Sequence, residues 1–300
     1  MRQTFQRYTV RLVVVLPFAA ILCGPLPATA STILASAQSF AVLGYAGVTN
    51  AHVDPDAQTQ IYGNVGVSPL PLASITGFPP GTVTGGAIFG PPSIADMALA
   101  DINTAAVTLA GLAVTSDLSG QNLGNRTLTP GVYYLSDVTA NLTGTLTLDA
   151  TGQSNAVFVF NLANALSTAP ASVVKVIGGN SGTEVYWVLG SSAALGSGST
   201  FAGNILAYSS ISLGATATIE CGRAFARTES VTLIDNLISS DCSAAGLGTL
   251  PSDFGSLGFS GGSGAGSPLV PEPGSVTLLS MGLGAGSLLR RKLRTRHSPA

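Results

Sequence analysis

Short extended-type runs, interrupted every few residues by Gly, Asn, Ser or Pro, dominate this chain. They fall at 61–67, 132–135, 146–149, 157–161, 172–177, 184–189, 204–208, 211–213 and 231–234. Runs this short and frequent leave no room for helical crossovers, so the choice lies between a sandwich, a barrel and a solenoid. The Asn-Gly and Asp-Gly pairs that close two-residue hairpins are scarce between them. Small-residue corners at Gly144, Gly178-Gly179, Gly196-Ser197-Gly198 and Gly214 bend the chain instead. That pattern predicts a parallel coil, whose rungs stack at ~4.7–4.9 Å, with inward residues forming a dry column and outward residues lining up in ladders. Inward positions are expected at Val157, Val159, Val174, Val176, Val185, Trp187, Ile205, Ile211, Leu213, Val231 and Leu233. No strict internal repeat is visible.

One segment departs from this pattern. After Pro91-Pro92, Ser93 is an N-cap candidate, and Ile94, Ala98, Ile102, Ala105, Leu109 and Leu112 recur at three- and four-residue steps. The spacing predicts an amphipathic helix over about 94–114, packed along the outside of the coils. Its polar side carries Asp96 and Asp101 and no Lys or Arg, which does not suit an anionic membrane surface.

The ends carry export features. Arg2, Arg7 and Arg11 precede an apolar run over 12–23 and the small residues Ala28-Thr29-Ala30, as in a signal peptide over 1–30. A domain over 31–242 and a Gly/Ser-rich linker over 243–269 follow. The tail, 270–300, has Val270-Pro271-Glu272-Pro273, an apolar segment 275–289 and a basic end. It resembles the PEP sorting signal of Gram-negative bacteria, which implies a membrane sorting protease as partner and an extracellular or cell-surface destination, with transient anchoring through the apolar segment. Residues 31–270 hold four Lys and Arg against thirteen acids, a balance of −9. That excludes a basic nucleic-acid footprint. In an exported chain Cys221 and Cys242 are expected to pair, the alternative being two separately buried thiols.

Catalytic chemistry is not legible. His52 is the single histidine of residues 31–270 and reads as a turn residue beside Asp54-Pro55-Asp56. Over residues 31–242 no Gly-x-Ser-x-Gly elbow presents a nucleophile, no metal-ligand spacing occurs, and no cofactor is implied. Asp149 reads as a turn former. Within residues 31–270, Glu220, Arg223, Arg227 and Glu229 form the one dense charge cluster and are spaced for ion pairs on a coil surface.

The order of segments is more specific than any one of them. Ser39-Phe40-Ala41-Val42-Leu43-Gly44, Gly47-Val48-Thr49-Asn50, Ile61-Tyr62-Gly63-Asn64-Val65-Gly66-Val67-Ser68-Pro69 and Ile75-Thr76-Gly77-Phe78-Pro79-Pro80-Gly81 precede the helix. After it come Leu123-Gly124-Asn125-Arg126-Thr127-Leu128-Thr129-Pro130-Gly131-Val132-Tyr133, Leu146-Thr147-Leu148-Asp149-Ala150, Asn155-Ala156-Val157-Phe158-Val159-Phe160, Val185-Tyr186-Trp187-Val188 and Gly222-Arg223-Ala224-Phe225-Ala226 with Val231-Thr232-Leu233. This series resembles the ice-binding-like family of bacterial and fungal proteins over about residues 36–240. The resemblance implies an all-β fold with one long helix, a right-handed discontinuous parallel β-solenoid of triangular section in which chain order and coil order differ. It also implies ice-crystal binding through a flat face. No fixed motif marks that face, so the candidates are the outward hydroxyls Thr49, Thr82, Thr84, Ser210, Ser212, Thr216, Thr218 and Thr232. Glu220, Arg227 and Glu229 are expected beside them, where their bound water would oppose a lattice. Two other functions compete: a structural or adhesive component that binds extracellular polymer, and a polysaccharide-active solenoid enzyme.

Overall fold

A computed structural model of the chain describes residues 33–54, 57–179 and 182–240. Every strand pair in it is parallel, in a 15-stranded and a 7-stranded sheet. The chain runs in coils of three short strands. One coil is Val157–Leu162, Ala165–Thr168 and Val173–Ile177, and the next is Glu184–Leu189, Ala193–Leu195 and the start of Thr200–Ala207. The second strand of each coil builds the seven-stranded sheet, while the first and third belong to the larger one. The two are one sheet because Thr200–Ala207 and Thr218–Ala226 each turn a corner without breaking. Gly203 at φ 101°, and a bulge at Cys221-Gly222, make those corners. A Cβ on Gly222 would fall inside the backbone of Gly203, so the rungs approach there only as glycines. The expected single run over 61–67 is likewise two strands, Gln60–Tyr62 and Asn64–Val67, bent at Gly63, φ 124°.

Coil order departs from chain order. Phe40–Gly44 lies between Thr218–Ala226 and Asn64–Val67, and Gly47–Ala51 lies between Ser230–Ile234 and Ile75–Thr76. The two N-terminal coils thus extend the stack beyond its last C-terminal coil. The helix Ile94–Ala110 then carries the chain back along the first-strand side to the opening coil at Ser116–Asp117. At 1.5 Å per residue its 17 residues span about 26 Å, or some five rungs. Ser93 caps it as expected: its side chain accepts from Ala95 N–H, and Asp96 accepts from Ser93 N–H at 3.0 Å. The helix ends four residues short of the expected 114. Ile94, expected to pack, is 37% exposed; Ala95, Ala98, Ile102, Ala105, Ala106 and Leu109 form the buried stripe.

Two apolar layers result. The coil interior holds Tyr133, Phe160 and Trp187 in one column, ring centroids 5.3 Å and 3.9 Å apart, continued by Ile205, Ala224 and Val42 through the strand registers. Each such large side chain contributes roughly 1.5–3 kcal/mol by burial. The second layer lies between the coils and the helix and contains Phe40, Leu43, Val159, Tyr186, Leu206 and Phe225. Val157 and Val159 therefore face the helix, contrary to the expected inward placement, and Phe158 and Phe160 point inward. A strand covered on both sides is apolar at every position, so alternation does not tell which side is which. The other nine expected inward residues line the interior.

Candidate functional site

The seven-stranded sheet presents one outward column that strand register alone defines. Asn141 is opposite Ser167, Ser167 opposite Ala194, Ala194 opposite Ser212, Ser212 opposite Thr232, Thr232 opposite Thr49 and Thr49 opposite Thr76. Seven rungs at ~4.8 Å give a column about 29 Å long. Ser167 is partly exposed and the other six are exposed. The residues between them point inward: Ala140, Leu166, Ala193, Ile211, Val231 and Val48 are buried. Alternation within each strand, apolar in and small out, fixes which atoms meet solvent.

No Asp, Glu, Lys or Arg occurs in any of the seven strands. Thr139, Ala165 and Ser230, two residues before column members in their own strands, keep the margin uncharged too. The floor beneath is the packed interior, so the outward groups are held by a rigid layer. The β-branch of Thr restricts its rotamers, leaving a methyl and a hydroxyl at set positions. Such a surface offers repeated small hydrogen-bonding and apolar groups with no fixed charge. Among the described residues no three His, Cys, Asp or Glu side chains come together to hold a metal ion.

The eight candidate hydroxyls do not share one surface. Thr49, Ser212 and Thr232 stand in the column, and Ser210 precedes the strand Ile211–Leu213. Thr82, Thr84 and Thr218 belong to the larger sheet: Gln60 pairs with Thr82 and Tyr62 with Thr84 at its end, and Thr218 lies opposite Thr200. Thr216 is at a corner with φ 59°. Sequence reasoning missed Thr76, Ser167 and Asn141, which register alone reveals. Gly77 after Thr76 turns a corner at φ 82°, and its carbonyl accepts from Asn50 Nδ2 at 2.9 Å, which holds the end of the column to the next coil.

The charged cluster is dispersed. Arg223 is 1% exposed, and its guanidinium donates to the carbonyl of Gln38 at 3.0 and 2.7 Å and to Asn204 Oδ1 at 2.9 Å, inside the molecule rather than on a coil surface. Arg227 Nε donates to Asn103 Oδ1 of the helix at 2.8 Å. Glu220 stands on the larger sheet opposite Ala202, where burial pushes its pKa up. Glu229 precedes Ser230 outside the strand. None of these side chains lies in the column, because the coil corner separates them from it.

Two titratable groups mark the edge of the surface. Asp235 follows Ser230–Ile234 and accepts from Val53 N–H and Asp54 N–H, each at 3.0 Å, while His52 Nδ1 lies 2.8 Å from its other oxygen. Burial works to raise the Asp235 pKa, but these bonds outweigh it and hold the carboxyl below its usual range. His52 thus clips one coil to the next. Asp149 is the expected turn former, accepting from Thr151 N–H at 2.9 Å. Cys221 is buried, and Cys242 falls outside the described residues, as do the expected signal peptide, linker and sorting tail, in residues 1–32 and 241–300.

Comparison with known proteins agrees with this architecture. The family model described as ice-binding-like matches residues 42–239. An ice-binding protein of Nostoc sp. (strain HG1) is 40% identical over 262 residues, 87% of each chain. One of Flavobacterium frigoris (strain PS1) is 31% identical over 217 residues, covering 69% of this chain and 75% of the relative. Among solved structures, the ice-binding protein of Antarctomyces psychrotrophicus superposes with TM-score 0.63 at 36% identity, covering 70% of this chain and 98% of that one. With these matches over most of its length, and with stacked parallel strands and one flanking helix, the chain belongs to the ice-binding-like family.

Proposed function

We propose that this protein binds ice through the outward side of its seven-stranded sheet, with the column Asn141–Ser167–Ala194–Ser212–Thr232–Thr49–Thr76 at its centre. One observation carries the reading: the seven strands of this side are in register over seven rungs and none of them contains a charged residue. Methyls exclude disordered water, hydroxyls bond to ordered water, and the rung spacing sets the repeat. A charge there would orient its own hydration shell and oppose a lattice. The larger sheet is the poorer surface because Lys175, exposed, and Glu220 stand on it.

The coils wind in the right-handed sense, as parallel crossovers almost always do. The N-terminal basic and apolar run supports export, and the Pro-Glu-Pro tail supports sorting by a membrane protease to the cell surface. An exported location and the burial of Cys221 support its pairing with Cys242.

The reading is tested by cooling a solution of residues 31–250 around a single ice crystal. Faceted crystals and a gap between melting and growth temperatures are expected. Round crystals growing with no such gap at high protein concentration would reject it.

A further inference from the structure

The helix leaves an open cleft of about 490 Å³ where its C-terminal half meets the coils, away from the seven-stranded sheet. Its walls are largely apolar, with Ala106, Val107, Ala110 and Val188 beside Tyr134 and Tyr208. Arg227 is the one charged residue in the lining. Its guanidinium is held on two sides: Nε donates to Asn103 Oδ1 at 2.8 Å, and the carbon centre lies 5.6 Å from the Tyr208 ring centroid, over its face. Among the described residues neither Nη group has a protein acceptor, and no carboxylate is within ion-pair distance of them. Burial pushes the Arg227 pKa down, the direction expected of a cation that has lost water without gaining an anion.

A fixed guanidinium with its two-pronged end open matches a carboxylate, which takes two parallel N–H bonds. The apolar walls match a flat hydrocarbon body, and the volume is within the ~300–1,000 Å³ of small-molecule sites. We infer that this cleft binds a small aromatic carboxylate, its carboxylate on Arg227 and its ring between the helix residues Val107 and Ala110 and the coil residues Tyr134 and Val188. The site is independent of the proposed ice face, which shares no residue with it.

The test uses the full mature chain and benzoate as probe, with benzamide and acetate as comparisons. Saturation-transfer NMR should show benzoate bound, with contacts from its ring protons to Val107, Val114 and Tyr208. Benzamide lacks the charge and acetate the ring, and both should bind at least about tenfold more weakly. Arg227→Gln should lose binding by a similar factor. Val107→Glu, at a side chain 70% exposed and so safe for folding, should lose it as well by placing a carboxylate at the mouth. Thermal hysteresis should be unchanged in both variants. Equal binding of benzoate and benzamide, or benzoate binding unaffected by either substitution, would overturn the assignment.

Discussion

Replacing Arg223 with methionine should loosen the N-terminal coils from the rest of the stack. Arg223 lies in Thr218–Ala226, directly against Phe40–Gly44, and ties Gln38, just before that strand, to Asn204 one coil away. Methionine fills much of the same apolar space but supplies none of the three donated bonds. The Gln38 carbonyl and Asn204 Oδ1 then lose these buried donors, each loss costing roughly 1–3 kcal/mol. A total of about 3–5 kcal/mol is expected, the range for breaking a buried charged network from one side. At ~2–4 °C per kcal/mol for a domain of this size, Tm should fall by on the order of 10 °C in calorimetry. Amide exchange should rise most in Phe40–Gly44 and Gly47–Ala51, the strands that the clamp holds, and less in Val157–Leu162. Arg223→Lys should recover part of the loss, since one ammonium keeps the charge but not the fork. A Tm change under about 3 °C, or exchange that rises evenly along the chain, would refute this account of how the N-terminal coils are attached.

Trp187→Ala removes the centre of the aromatic column, where the Phe160 ring stacks at 3.9 Å, and should cost about 3–5 kcal/mol by denaturant unfolding. Gly222→Ala should destabilise by a comparable amount, because its methyl would meet the Gly203 backbone at the corner of two stacked strands; an unchanged unfolding midpoint would contradict that packing. Asp235 has a folded pKa below its unfolded value, so its stabilisation is complete above the unfolded carboxylate range and is lost as pH falls through the depressed folded pKa. Asp235→Asn should therefore flatten the acid limb of a stability-against-pH curve relative to the parent.

The parallel coil was legible because its signal is local: short runs, glycine corners and missing hairpin turns are each readable within a few residues. The helix cap was legible for the same reason, as Ser93 sits between Pro91-Pro92 and the helical spacing, whereas the reciprocal bond from Asp96 was seen only in the structure. What escaped was set by contacts distant in the chain. Thr49 and Thr76 join Thr232 only because the N-terminal coils stack after the last C-terminal one, and no local pattern encodes that register. Thr82 and Thr218 look identical to Thr49 in sequence, and only the three-sided path of the coil sends them to another surface. Val157 and Val159 were misplaced because the helix covers their outer side. Arg223 was misjudged because an isolated arginine in an apolar run carries no mark of the carbonyl, 185 residues away, that it binds.

The most direct test of the account compares matched lysine substitutions on two surfaces of the same molecule. Thr49→Lys and Thr232→Lys place a charge in the middle of the uncharged column, whereas Thr82→Lys and Thr218→Lys place it on the larger sheet. Thermal hysteresis measured at equal concentration should be abolished by the first pair and kept by the second, with all four variants folded by circular dichroism. Loss of hysteresis in the second pair with retention in the first would show that ice meets a different side of the protein.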